Sequence, residues 1–512
     1  MRSPAPSQGV RGPQVTPTTI PAPIGGWNRR DAEDLMQPTD AIVLDNWFPN
    51  ETSVELRRGF SSQATGLGSA VESVMSYDSQ ATKKLFAAAG TDIYDVTSTG
   101  AVGSAAVSSL SNARFESVNI GTSGGHYMFI VNGADAPRHF DGSSWATPTL
   151  SGVTASTISN VALHKTRLFF TFNDSLNFGY LGVNAIAGTV SVFPLKALFK
   201  KGGEIVAIGS WTKDGGSGQD DLCVFVTSNG EVAIYAGIDP GSASTWELVG
   251  VFEGARPIGK RCLFKVGADL VMVSEMGYIP LSRYLPAAGS APNAAVNDKI
   301  SGAVKSRARQ FMDTFGWQGM IYSAGGYGFI NVPTSTAGDF EQHVVNLNTG
   351  AWCRFTGQNG YSWTVHNGRL YFGGEGTVYL ADDGLDDDGG TIDADGKTAF
   401  QYFGTRGVQK NFVTARPVIS SDGDLPVSFG FDTDFSNNPT TYTPSTVTAV
   451  GSTWDDAEWD DAEWASDQGP VQQWRVVGRH GYNIAFRLRT QTQAQSVIWR
   501  GTDVRWKIVS GL

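Results

Sequence analysis

Residues 221–237, DLCVFVTSNGEVAIYAG, read as an apolar strand, a turn at Asn229-Gly230 and a second strand ending near Tyr235. Asn-Gly supplies the left-handed backbone that tight hairpin turns need, and the apolar runs on both sides make this a β-hairpin. The same unit recurs in KLFAAAGTDIYDV (84–96), YMFIVNGADAPRHFDG (127–142) with its Asn132-Gly133 turn, and RLFFTFNDSLNFGYLG (167–182). It continues in DLVMVSEMGYIPLS (269–282), GMIYSAGGYGFINVP (319–333) and RLYFGGEGTVYLADDG (369–384). From Leu85 to Leu370, successive copies are 40 to 54 residues apart. A hairpin at that period is the signature of a β-propeller, one four-stranded sheet per repeat. Seven visible copies predict six to eight blades, with Tyr94, Tyr235, Tyr278 and Tyr379 placed to pack against the next blade. An irregular set of sandwich hairpins is the alternative.

Composition points the same way. The 512 residues include 62 glycines, with 11% aromatic and only 17% charged residues, which fits many short strands joined by tight turns rather than disorder. Lys and Arg number 38 against 49 Asp and Glu, a net charge of −11, which argues against a general nucleic-acid-coating surface. Most of that excess sits in two short runs, 382–397 and 455–467, and the remainder is near neutral. Three well-separated cysteines, Cys223, Cys262 and Cys353, flanked by apolar or aromatic residues, read as buried thiols rather than a disulfide frame or zinc site. No apolar stretch reaches the length of a membrane helix and residues 1–23 lack a signal-peptide pattern, so a soluble chain made in a cytoplasm is expected.

The organisation predicted is all-β with few short helices. Residues 1–23, with six prolines, form an extended N-terminal arm. Residues 24–384 form the propeller, with a lead-in segment (24–80) and one basic helix over Asn297–Phe311, capped by Asn297 or Asp298. Ile300, Val304, Ala308 and Phe311 make its apolar stripe, while Lys299, Lys305, Arg307 and Arg309 are candidate subunit-interface residues. Residues 385–397 read as an Asp/Gly-rich linker, and 398–512 as a β-sandwich-like domain. Within that domain WDDAEWDDAEW (454–464) spaces Trp454, Trp459 and Trp464 five apart, which matches neither helix nor strand and reads as a loop.

Catalytic patterns are sparse. Gly121-Thr122-Ser123-Gly124-Gly125 fits the nucleophile-elbow spacing, but the next segment reads as strand, not the helix that chemistry needs. The six histidines show no metal-binding spacing, and Gly325-Gly326-Tyr327-Gly328 and Gly373-Gly374-Glu375-Gly376 lack the Lys-Ser/Thr of a phosphate loop. With Gly396 at the sixth position of a calcium loop, Tyr402 falls where a bidentate Glu is required, so the match fails. No catalytic residue, cofactor or metal site is predicted.

Three stretches carry a resemblance. They are PAPIGGWNRRDAEDLMQPTDAIVLDNWFPNETSVELRRGF (21–60), VNDKISGAV (296–304), and WDDAEWDDAEW with the later RVVGRHGYNIAFRLRT and IWRGTDVRW. Together they resemble the tail nozzle proteins (tail tubular protein B, or tail hub) of short-tailed bacteriophages. The resemblance implies a non-enzymatic virion protein made in the host bacterial cytoplasm, assembled as a homohexameric ring below the portal and adaptor and forming the DNA-exit channel. Implied partners are other copies of the chain, the adaptor or head–tail connector, tail fibres or a tail needle, and genomic DNA passing without sequence-specific contact. In that setting Asp386, Asp387, Asp388, Asp455, Asp456, Glu458, Asp460, Asp461 and Glu463 are the channel or interface candidates, since carboxylates repel phosphates. The competing readings are a tail-associated glycan-degrading enzyme on a propeller and a monomeric propeller that binds a partner.

Overall fold

The computed structural model describes residues 15–214, 219–283, 298–423, 425–437, 445–447 and 474–509. It forms two compact units. The larger comprises Arg58–Asn348 and Phe355–Gly389; the smaller comprises Met1–Arg57, Thr349–Arg354 and Gly390–Leu512.

The larger unit is a succession of antiparallel sheets. Three have four strands, beginning at Glu116–Thr122, Ile158–His164 and Ile205–Asp214. Another has the three strands Leu263–Val266, Asp269–Ser274 and Gly277–Pro280, and Gln318–Tyr322, Tyr327–Pro333 and Phe340–Asn346 form a further meander. All seven sequence repeats are hairpins. The copy at 319–333 is one strand out of phase: it holds the first and second strands of its sheet, whereas the others hold the second and third. The turn at 228–230 is also longer than the two residues expected, and only Gly230 is left-handed (φ 83).

The strand Phe60–Asp78 is the exception in length, at 19 residues. Residues 60–70 pair with Glu375–Ala381, near the end of the unit, and residues 71–78 pair with Lys83–Ala89, at its start. Gly66 and Gly68, both left-handed (φ 85 and 75), sit where it passes from one sheet to the other. Phe60 anchors the junction, edge-on to Phe372 and Tyr379 at 5.2 and 5.1 Å. Gly59 is obligatory there, because a Cβ would lie 1.6 Å from the carbonyl oxygen of Asp386. The first strands of the sheets neighbour one another in order: 60–78, 116–122, 158–164, 205–214, 263–266, 318–322, 362–366, and then 60–78 again.

The helix is shorter than expected. An α-helix spans Ser301–Phe311 after a 3-10 turn at Asp298–Ile300, and its N-cap is Ile300, with no side-chain cap bond. Burial of Ile300, Val304 and Ala308 fixes its position in place of a cap.

The smaller unit corrects the predicted boundaries. The lead-in segment 24–57 belongs here, not with 58–389, because its strands find their partners here: Asp40–Asp45 pairs with Ile392–Thr398, and Val54–Leu56 with Val497–Ile508. The N-terminal arm is a strand from Thr16 to Pro21, paired with residues 501–506; residues 1–14 lie outside the described chain. Half of the supposed linker, Ile392–Thr398, is a strand between two others. The motif at 44–49 is structural. Asp45 holds Arg354 through two bonds of 2.7 and 2.6 Å, Asn46 turns the chain at φ 60, and Trp47 packs edge-on to Trp499. Gly396 lets these two indoles approach, its missing Cβ being 3.0 and 3.2 Å from them.

At the centre of this unit Lys397 and Asp432 form an ion pair of 2.8 Å with side chains 3% and 1% exposed. Removing one partner strands a buried charge, which costs about 3–5 kcal/mol, whereas replacing both with apolar residues is far milder. Lys397→Met is therefore expected to lower urea-measured stability of this unit by about 3–5 kcal/mol, and Lys397→Met/Asp432→Leu to recover most of it. A loss below about 1 kcal/mol for the single variant contradicts the pairing.

Candidate functional site

The first strands of the larger unit's sheets surround a cavity of about 290 Å³, to which Met75, Ser117, Asn160, Ala207, Leu263, Gln318 and Ser362 each contribute from a different one. A second cavity, of about 390 Å³, is lined by Arg114, Glu116, Lys260, Arg261, Asp313 and Phe315, with Glu116, Lys260 and Arg261 common to both.

Arg261 organises the site. Its Nε donates to Glu116 Oε1 at 3.0 Å, Nη1 to the Glu72 carbonyl at 3.2 Å, and Nη2 to Ser73 Oγ and the Phe115 carbonyl, each at 2.9 Å. The planar guanidinium fork suits this use, since its donors diverge in fixed directions. From the segment that leads into Leu263–Val266, one side chain thus ties together the strands that begin two other sheets. Arg114 donates to Glu72 Oε1 at 2.9 Å, and the guanidinium carbons of Arg114 and Arg261 lie 4.5 and 5.2 Å from the Phe315 ring centroid. These contacts are cation–π interactions and hold the ring in place. Lys260 has a lighter engagement, Nζ reaching Asn173 Oδ1 at 3.3 Å.

Histidines brace neighbouring first strands elsewhere. His366 Nδ1 lies 2.8 Å from Ser76 Oγ, and His164 bridges Ser210 Oγ at 3.1 Å and the Gly237 carbonyl at 3.2 Å. A Ser–His pair begins a nucleophilic site, but a triad also needs an acceptor orienting the far ring nitrogen. Among the described residues the His366 ring makes no second hydrogen bond. His343 lies between Tyr278 Oη (2.8 Å) and Glu341 Oε1 (3.1 Å), fully buried.

The described residues among those predicted from sequence are not in either cavity's lining. Asp386, Asp387 and Asp388 sit at the junction of 60–70 with 375–381: Phe60 N–H donates to the Asp386 carbonyl, Phe60 bridges Asp387, and Ser62 donates N–H and Oγ to the Asp388 carboxylate at 3.0 and 2.7 Å. Asp455, Asp456, Glu458, Asp460, Asp461, Glu463 and the three tryptophans lie outside the described residues. Arg307 makes a two-bond pair with Glu341 of its own chain at 2.9 and 3.0 Å. Lys299 lies in the 3-10 turn, and Lys305 and Arg309 are on the helix. Ser123 is in the hairpin turn between Glu116–Thr122 and Gly125–Val131, as its glycine-rich surroundings imply. All three cysteines are buried and unpaired, and burial pushes the Cys262 thiol up to about 12. No group of three or more His, Cys, Asp or Glu suited to a metal ion occurs among the described residues.

No sequence motif singles out Arg114, Lys260, Arg261 and Phe315. The available signal was the polar RPIGKRC (256–262) directly before a hairpin and DTFGW (313–317) directly after the helix.

The chain matches no protein-family model and no curated protein. Solved structures similar to it include BBS1N in complex with ARL6DN (10% identity, 63% of this chain and 97% of that one, TM-score 0.40). YCF48 from Cyanidioschyzon merolae gives 12% identity, 63% and 98% coverage and a TM-score of 0.40. BamB from Moraxella catarrhalis gives 14%, 71% and 97%, and 0.34. None of these solved structures is a phage tail protein. The tail-nozzle membership is thereby overturned, and with it the phage-tail, virion and DNA-exit-channel function that the resemblance implied.

Burial holds the imidazoles of His164 and His366 below their ordinary value. The unfolded chain therefore takes up protons first as pH falls, so this stability is fully present above about pH 6.5 and declines below it. Unfolding free energy of the larger unit should fall between pH 7 and pH 5, and His164→Gln/His366→Gln should flatten that slope. An unchanged slope in denaturant titrations contradicts the bracing role.

Proposed function

We propose that the chain is a non-catalytic binding module. Its larger unit is a closed seven-bladed β-propeller, and it receives a partner at the cavity formed around Arg114, Lys260, Arg261 and Phe315. The cyclic order of neighbouring first strands supports closure, with Phe60–Asp78 supplying the outer strand of the last blade and the inner strand of the first. Propellers close by sharing sheets around a central channel in this way.

The observation that carries the binding reading is the use made of charge in the cavity. The two arginines are engaged with Glu72, Glu116, backbone carbonyls and the Phe315 ring, so they build a rigid wall. General acid–base work instead needs a group free to exchange a proton with a substrate. A concave, largely pre-formed cavity with a few fixed polar groups is the usual form of a recognition site. Lys260, whose ammonium meets only an amide oxygen among the described residues, is the cation left to meet an incoming acceptor.

A photo-crosslinking residue at the exposed Asp313 position tests this in extracts of the protein's own cells. A discrete adduct larger than the 54.6 kDa chain is expected, lost in Arg114→Ala/Lys260→Ala. No adduct, or one unaffected by that variant, overturns the reading.

A further inference from the structure

The smaller unit carries a second surface that the cavity does not explain. The sheet formed by Arg475–Gly481, Lys410–Ser421 and Val497–Ile508 has one face turned to the core, where Phe412, Ala415, Ile419, Trp499 and Val504 are buried. Residues paired across strands share a face, so the register defines the opposite side. One row places Val476, Thr414 and Arg505 together, and another places His480, Asn411 and Lys507 together. Arg500, which the pairing skips where the register shifts between Val418 and Ile419, is exposed, as is Arg505. Val476 is 78% exposed.

The face is cationic and its charges are arranged. Arg505 and Arg416 place their guanidinium carbons 4.2 and 4.9 Å from the Trp474 ring centroid, which fixes two long side chains that otherwise lose entropy on binding. Asp503 lies among them and is already engaged, accepting from Arg416 Nε at 2.8 Å and Thr19 Oγ1 at 2.7 Å. Glu55 stands on the neighbouring strand opposite Ile498. Among the described residues Arg500, Arg505 and Lys507 have no carboxylate partner. Arg505 and Lys507 are alternate residues about 6.8 Å apart, the repeat of same-side residues in any extended chain, and Arg500 lies five residues before Arg505, across the pairing irregularity at Val418–Ile419.

We propose that this face docks an extended acidic polypeptide segment of a partner protein, with Arg505 and Lys507 meeting alternate carboxylates and Arg500 one further along the segment. The charge distribution favours a peptide over nucleic acid. A polyphosphate meets the field of the entire chain, at −11, and the carboxylates of Asp503 and Glu55 on the same face. A short acidic segment engages only the local row of cations. The proposal is independent of the cavity in the larger unit.

The test uses the full chain and a fluorescently labelled peptide of eight alternating Glu and Ser residues, followed by anisotropy at low salt. Saturable binding is expected, weakened about tenfold or more in Arg500→Ser/Arg505→Ser/Lys507→Ser and lowered by added NaCl. Lys260→Ala should leave it unchanged, which separates this surface from the cavity. Arg500 and Arg505 are exposed and Lys507 is half-buried, and an unchanged thermal melt verifies that the variant is folded. Charge reversal at Arg505 alone, Arg505→Glu, gives a second reading with minimal disturbance. Peptide binding that both variants retain overturns the proposal. So does the absence of peptide binding, and so does tighter binding of a 12-nucleotide oligothymidylate lost in the same variants, which reassigns the face to nucleic acid.

Discussion

The 19-residue strand Phe60–Asp78 is the constraint on which the larger unit depends. Its two halves belong to two sheets: residues 71–78 pair at once with the neighbouring Lys83–Ala89, but residues 60–70 wait for Glu375–Ala381, some 300 positions later in sequence. Long-range pairing of this kind costs loop-closure entropy before it returns any stability. The compensation is concentrated at the junction. Phe60 sits among Phe372 and Tyr379, Ser61 and Ser62 bind Asp383 and Asp388, and Gly59 permits backbone contact with residue 386. The acidic run that dominates the charge of this region is therefore partly a clasp, its carboxylates accepting from the strand they secure.

Inside the unit, polar contacts as well as packing tie several first strands to their neighbours. Arg261 spans three segments, Ser362 Oγ accepts from the Val74 N–H at 3.1 Å, and Gln318 exchanges two hydrogen bonds with the Trp363 backbone. The first strands converge on the cavity, so their inner edges leave polar backbone that must find partners. Side chains reaching across supply them. The same convergence produces the cavity, so that the site and the braces share Arg261 and Glu116.

Hairpin content was legible because it is local: apolar runs and turn glycines lie within a dozen residues of each other. The phase of the copy at 319–333 was not, because any two adjacent strands of a meander look alike in sequence, and only their neighbours in space show which is innermost. The assignment of 24–57 to the C-terminal strands was also illegible, since pairing such as Asp45 with Asp395 joins residues some 350 apart. The cavity escaped for a related reason. Arg114, Lys260, Arg261 and Phe315 lie in three unrelated stretches and form no spaced motif. The conspicuous aspartates at 386–388 make contacts at a strand junction, while single arginines in unremarkable segments build the cavity.

The closed ring is the central claim, and a covalent staple across the junction tests it most directly. Thr65 and Thr377 are register partners in the pairing of the two strands. A chain carrying Thr65→Cys and Thr377→Cys, mildly oxidised while folded, should form that disulfide nearly completely, seen as a faster-migrating species on non-reducing gels and as a linked peptide by mass spectrometry. Thiols that stay free in the folded chain and link only after unfolding contradict the closed arrangement.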